Sequence, residues 1–181
     1  MRGSGALWPP AMVKSGISGR IVQKPHQHEQ GWTMRKPGIL IVDDDDSVLV
    51  MISEWLTKYG YEVFATLNIA GALNIFQRHR ESIDMLMTDI KLQNESGFDL
   101  ADILERDYGF TNHVFCTSFF WDEATAEELL RRGKPYFEKP LKFKREILPF
   151  LEKIYIVFSL MNPGKDLVPD LDEFAKCVCY T

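Results

Sequence analysis

Two adjacent carboxylates, Asp43 and Asp44, stand directly after the apolar run from Ile39 to Val42, and a third, Asp89, closes the run from Asp84 to Thr88. Two further runs end at Thr117 and Lys139. If these runs are strands of one sheet, three carboxylates, a hydroxyl and an ammonium meet at one crevice. Carboxylates gathered in this way repel one another, and the usual remedies are proton uptake or a hard divalent cation with oxygen ligands. Mg²⁺ suits the set best, because it accepts a few carboxylates, a backbone carbonyl and retained waters. Such a crevice suits phosphoryl transfer: the cation and Lys139 offset charge on the equatorial oxygens while an Asp oxygen attacks in line. Taken singly, each residue has a plainer role, since Asp after a strand often only caps the next helix and a loop Thr or Lys is usually solvated. The coincidence of all five at strand ends favours a site.

The elements that would position them follow from periodicity. The run from Ile39 to Val42 is short, continuous and rich in β-branched residues, as in a strand buried on both faces of a parallel sheet. Val48, Ile52, Trp55, Leu56 and Tyr59 then fall on one helical face that stops at Gly60. The alternation repeats with strands over 62–65, 84–88, 113–116 and 136–138. Helices are expected over Ile69 to Phe76, Phe98 to Leu104, Glu123 to Arg132 (closed by Gly133) and Arg145 to about Phe158. Strand-then-helix repeats imply parallel strands with right-handed crossovers, hence a doubly wound α/β domain with a five-stranded sheet. In such sheets ligands bind outside the carboxyl ends of the strands, where the five polar residues stand.

The same runs carry a resemblance. Gly38-Ile-Leu-Ile-Val-Asp-Asp-Asp, Met85-Leu-Met-Thr-Asp89 with Gly97 eight residues later, Val114-Phe-Cys-Thr117-Ser118 and Tyr136-Phe-Glu-Lys139-Pro140 resemble the CheY-like receiver domain of response regulators in two-component signalling. The match runs from residue 38 to about 158 in order and spacing. It implies a flavodoxin-like sheet of strand order 2-1-3-4-5, with Asp89 as phosphoacceptor. It also implies Mg²⁺ held by Asp43, Asp44, Asp89 and the backbone carbonyl of Lys91. Thr117 would be the switch hydroxyl, Lys139 the phosphoryl contact and Tyr136 the aromatic whose rotamer follows Thr117. A protein of this kind is a cytoplasmic signalling domain rather than an enzyme, with self-catalysed phosphorylation and dephosphorylation. A histidine kinase or histidine phosphotransfer protein would supply the phosphoryl group, and a downstream protein would read it. The chain departs from the family pattern at Gln93, where Pro is usual, at Lys134, where a small residue is usual, and at Leu141, where Phe is common. Ser118 is small, as access to the switch hydroxyl requires, and Lys91 and Phe119 occupy positions where the family tunes phosphoryl lifetime.

Other readings compete. Val42-Asp-Asp44-Asp-Asp46-Ser resembles the first motif of haloacid-dehalogenase-type phosphatases, with Asp44 as nucleophile and Asp46 as general acid/base. That reading needs another acidic pair after Lys139, where only Glu146 and Glu152 on the last helix are available, and leaves Asp89 without a role. A calcium-loop reading of Asp43, Asp45, Ser47 and Glu54 fails because Val48 occupies the turn position that requires Gly. A third reading is a receiver-like module that is not phosphorylated. His26 and His28 in a Gly/Pro context read as solvated, Cys177 and Cys179 lack a partner pair at zinc spacing, and Phe119, Phe120 and Trp121 pack on the sheet edge or form a contact surface.

Composition narrows the setting. The 181 residues are 45% hydrophobic and 26% charged, as in an ordinary globular chain. The net charge of −5 is uneven: residues 1–37 hold six cations against Glu29, a balance of +5, leaving −10 for residues 38–181. An acidic body without a basic stripe argues against direct DNA binding. No apolar stretch approaches the roughly 20 residues a membrane span needs. Three cysteines do not make a disulfide scaffold. Residues 1–37 carry five of 12 glycines and four of nine prolines and read as a disordered leader, with Met34 as a candidate natural start. Residues 159–181 read as a short C-terminal tail too small for a DNA-binding output domain, so the chain is expected to be a stand-alone receiver.

Overall fold

A computed structural model describes residues 36–118 and 122–161. The expectations for residues 1–35, for Phe119, Phe120 and Trp121, and for residues 162–181, with their histidines and cysteines, lie outside the described residues. The five sheet strands are β1 (Gly38–Val42), β2 (Glu62–Thr66), β3 (Met85–Asp89), β4 (His113–Ser118) and β5 (Tyr136–Lys139). All pairings among them are parallel, and the order is β2-β1-β3-β4-β5, the expected doubly wound arrangement.

Strand alternation distributes the core between the two faces. Ile39 and Ile41, with Met85, Met87, Val114 and Cys116, pack against α1 (Asp46–Lys58) and α5 (Leu148–Met161). Leu40, Val42 and Leu86 point the other way, onto α2 (Ile69–His79) and α3 (Gly97–Tyr108). Phe115 meets Leu129 of α4 (Glu123–Arg132) on that second face. Because both faces are covered, β1 and β3 are buried along their whole length, which is why Gly38–Val42 and residues 85–87 read as apolar runs.

Side-chain caps start the helices at the carboxyl edge of the sheet. Asp45 accepts from the Ser47 N–H, Asn68 from Gly71, Ser96 from Phe98 and Asp122 from Thr125, at 2.8–3.2 Å. Each satisfies an N–H that has no partner within its own helix. The last helix begins earlier than the expected Arg145. Phe143–Ile147 forms a π-helical turn, whose wider winding brings both Phe143 and Ile147 into the core beside α1.

An antiparallel ribbon, Lys91–Leu92 paired with Glu95–Ser96, was not anticipated, because two-residue strands are too short to leave a periodicity. It lies between β3 and α3, and Leu92 buries itself among Ile69, Leu100 and Leu104 to anchor it. The ribbon delivers the chain to Gly97, whose N–H donates to the Ile90 carbonyl at 2.9 Å. A Cβ at Gly97 would sit 2.0 Å from the Asp89 backbone oxygen, so only glycine lets α3 start against the end of β3. Gly97→Ala should therefore cost about 2 kcal/mol or more, the scale of overpacking against an immobile backbone, read as a lowered urea midpoint. A midpoint equal to wild type would show that α3 can slide away from β3.

Candidate functional site

Asp43 and Asp44 leave β1 immediately before the α1 cap, and Asp89 ends the neighbouring β3. Register pairs Val42 with Thr88, so the next residues, Asp43 and Asp89, stand side by side. One carboxylate oxygen from each of Asp43, Asp44 and Asp89 lies within 4.8 Å of the others. Lys139 enters from β5. Its Nζ lies 2.6 Å from Asp43 Oδ2 and also hydrogen-bonds Asp89 Oδ2. Asp89 pairs with Cys116 and Cys116 with Phe137, and Lys139 shares the face of Phe137, so the lysine stem runs diagonally past the small Cys116 side chain.

A backbone N–H also donates to each carboxylate: Asp45 to Asp43 Oδ1 at 3.1 Å, Gln93 to Asp44 Oδ2 at 3.2 Å and Lys91 to Asp89 Oδ1 at 3.2 Å. Asp43 and Asp89 are buried and Asp44 half-buried. Burial pushes the Asp43 carboxyl above its ordinary value, opposed by hydrogen bonds from Lys139 and the Asp45 N–H. Burial alone would lower the Lys139 ammonium, but its hydrogen bonds and charge interactions with Asp43 and Asp89 outweigh that and raise it. The neighbouring Cys116 thiol is pushed up to about 12, chiefly by burial, and stays protonated and unreactive.

The donor set fits a small hard cation. Three carboxylates face one ammonium, so the ionised group keeps an excess of negative charge, and all its donors are oxygens. The phosphatase reading finds less support. Asp46, its general acid/base, is exposed on the first turn of α1, and Glu146 pairs instead with Lys142 at 2.9 Å. Among the described residues, Asp43, Asp44 and Asp89 are the one group suited to a metal.

Thr117 and Tyr136 lie on the opposite face of the sheet from Cys116 and Lys139. Phe115 is the register partner of Tyr136, and strand alternation puts Thr117 on the same side, toward α4. Thr117 is buried and its hydroxyl donates to the Ser118 carbonyl at 3.2 Å, whereas Tyr136 is 42% exposed. Ser118 is exposed. Lys134 donates to the Thr111 carbonyl at 3.1 Å, and Leu141 packs against the core beside α1. The Gln93 and Asp45 amides escape a reading based on side-chain types, because their contribution is backbone. The one sequence signal for Gln93 is that the position is not proline and so keeps its N–H.

Comparison with known proteins agrees with this fold. The family model of the response regulator receiver domain matches residues 39–148. The heme response regulator HssR of Staphylococcus saprophyticus is 30% identical over 69 residues, covering 38% of this chain and 30% of that protein. The transcriptional regulatory protein YxdJ of Bacillus subtilis is 24% identical over 105 residues, covering 58% and 44%. The chain thus matches less than half the length of these relatives. Among solved structures, a response regulator receiver domain protein from Clostridium thermocellum superposes with a TM-score of 0.60 at 24% identity, covering 70% of this chain and 99% of that one. The chemotaxis protein CheY4 of Vibrio cholerae superposes with a TM-score of 0.56 at 24% identity, covering 65% and 97%. With the family model spanning most of the chain and the fold shared along nearly the whole length of these solved domains, the chain belongs to the response regulator receiver domain family.

Proposed function

We propose that Asp89 accepts a phosphoryl group from the phosphohistidine of a histidine kinase or histidine phosphotransfer protein, and that the modified domain presents a changed surface to a downstream protein. The observation that carries this reading is the setting of Asp89, a buried carboxylate grouped with Asp43 and Asp44 and contacted by Lys139. In the transfer, an Asp89 oxygen forms the new P–O bond as the donor's P–N bond breaks. Lys139 stabilises charge on the transferred group, and no other nucleophile is required, so phosphorylation is self-catalysed. Asp43, Asp44, Asp89 and the backbone carbonyl of Lys91 are the proposed ligands of Mg²⁺, which when bound offsets the charge of carboxylates and phosphoryl group alike.

Thr117 is the proposed switch hydroxyl. Strong acceptor oxygens on Asp89 would draw it away from the Ser118 carbonyl. The space so vacated lies on the face shared with Tyr136, whose half-exposed ring can then turn inward and reshape the surface beside α4. The −10 charge over residues 38–181 favours a protein reader over DNA. A cytoplasmic setting goes with the reading, since the kinase and phosphotransfer chemistry takes place there, and Cys116 is a free thiol.

Intact mass after incubation with Mg²⁺ and acetyl phosphate should show a labile gain of one phosphoryl group, which Asp89→Asn abolishes while keeping the fold. Uptake by Asp89→Asn at the wild-type rate would refute the assignment, and an Asp44→Asn variant that alone lost activity would point to the phosphatase mechanism. Mg²⁺ at 100 times its Kd should raise stability by about 2.7 kcal/mol in wild type, and by much less in Asp43→Ala or Asp44→Ala. Coincident wild-type melts with and without Mg²⁺ would count against a metal site. Thr117→Ala should still bind beryllofluoride, yet its Tyr136 ring resonances should no longer shift; an unaltered shift would remove Thr117 from the switch.

A further inference from the structure

Sheet order leaves β2 at an edge, paired among the described residues with β1 alone. The Asp43 N–H donates to the Thr66 carbonyl, so Thr66 and, by alternation, Phe64 and Glu62 turn their backbone groups toward β1. The N–H and C=O of Val63 and Ala65 therefore face outward. We propose that this edge is a docking site for an extended, cationic segment of another protein, which adds a strand beside β2 and sets alternate side chains against α1. The surface is separate from the phosphoryl chemistry at Asp89.

Exposed edges are normally blunted by lysine, proline or a bulge. Strand β2 has none of these: it reads Glu62-Val-Phe-Ala-Thr66, its register with β1 is unbroken, and its one charged residue stands at the first position. Beside the edge runs an open groove of about 500 Å³ between α1 and the end of β2. Ala65 is too small to fill the groove and is itself exposed, and Val50 and Leu67 stand 51% and 44% exposed along it. An added strand would cover this apolar surface while pairing the outward backbone groups, the combination by which strand addition gains affinity.

The lining sets the chemistry of the guest. Asp46, Val50 and Glu54 follow one another at helical spacing as a single ridge of α1 along the groove, and no lysine, arginine or histidine lines it. The helical rise separates successive members of this ridge by about 6 Å. Every second side chain of a strand is separated by about 6.6 Å, so alternate guest residues keep step with the ridge. On the side facing α1 the guest then carries a cation, an apolar residue and a cation in turn. A second copy of this chain suits the edge poorly. Two β2 strands paired edge to edge would bring their acidic ridges together, and the −10 charge over residues 38–181 adds to the repulsion.

The probe is the end-blocked peptide Thr-Lys-Thr-Val-Thr-Lys-Thr, titrated into the full chain and followed by nitrogen-15 correlated NMR. The amide resonances of Val50, Val63 and Ala65 should shift, the Val63 and Ala65 amide protons should exchange more slowly, and the same peptide with glutamate for lysine should not bind. Loss of one exposed ion pair should weaken binding up to about fivefold in Glu54→Gln. Ala65→Pro removes an outward N–H at an edge position that tolerates proline, and should weaken binding about fivefold or more. No shift at millimolar lysine peptide, or equal binding of the glutamate peptide, would overturn the proposal. So would a chain that sediments as a dimer with the Val63 and Ala65 amides already protected, since a second copy would then hold the edge. If Ala65→Pro does not fold, exchange in the wild type decides: shifts along the groove without slower exchange at Val63 and Ala65 would mean that the guest is not a strand, and would overturn the proposal.

Discussion

The architecture is organised around a charge imbalance: three carboxylates meet one ammonium at the carboxyl edge of a parallel sheet, two of the acids buried. Buried carboxylates that crowd together are unfavourable unless a cation, hydrogen bonds or protons offset them. Each surrounding element contributes to that offset. The crossover connections put the N-terminal ends of α1 and α3 at this edge, where the helix dipole is positive. The loops between supply one amide per carboxylate, and β5 supplies Lys139. Every one of these offsets is partial, and an excess of carboxylates over cationic groups remains at the site.

Strand β4 lies between the acid group and the opposite face of the sheet. Cys116 faces the acid group and is small enough to let the Lys139 stem pass, while Thr117, one residue on, faces α4. Under the proposed function, a change at Asp89 would need to cross only β4 to reach the face of Tyr136. At the far end of α4, Arg132 forms two hydrogen bonds to Asp102 of α3, at 2.7 and 2.8 Å, joins Glu128, and lies 4.8 Å from the Phe98 ring. The Arg132 side chain is 10% exposed and that of Asp102 53%, so the guanidinium side of this pair is shielded, and the pair ties the C-terminal end of α4 to α3. Among the described residues, the start of α4 carries the exposed Asp122 cap and the Lys91–Asp122 pair at 3.6 Å, which contribute little.

Much of this arrangement was legible in the residues themselves. The strands and most of the helix ends follow from local patterns, and Asp43, Asp89 and Thr117 stand out because the central strands β1, β3 and β4 are buried and mostly apolar, so a polar terminus shows. Which way a side chain faces also follows, since alternation along β4 separates Cys116 from Thr117 without reference to any other strand. Boundaries shifted by a residue or two: the Asp84 N–H donates to the Gly38 carbonyl at 2.8 Å while its side chain accepts from the Gly38 N–H at 2.7 Å, and β3 begins one residue later, at Met85.

Sequence by itself determined the fold class and the inventory of reactive groups, both being properties of residue type and period. Tertiary structure alone decided how those groups are held. That Lys139 bridges Asp43 and Asp89 depends on the register of three parallel strands and on Cys116 being small where the stem passes. The capture of Asp44 by Gln93, 49 residues away, depends on a ribbon of two-residue strands and on a backbone amide, neither of which has a signature in side-chain chemistry. The need for glycine at position 97 likewise appears only once α3 lies against the Asp89 carbonyl. Backbone hydrogen bonds and close approaches between distant segments are set by the packed chain, and residue types constrain them only by what they forbid.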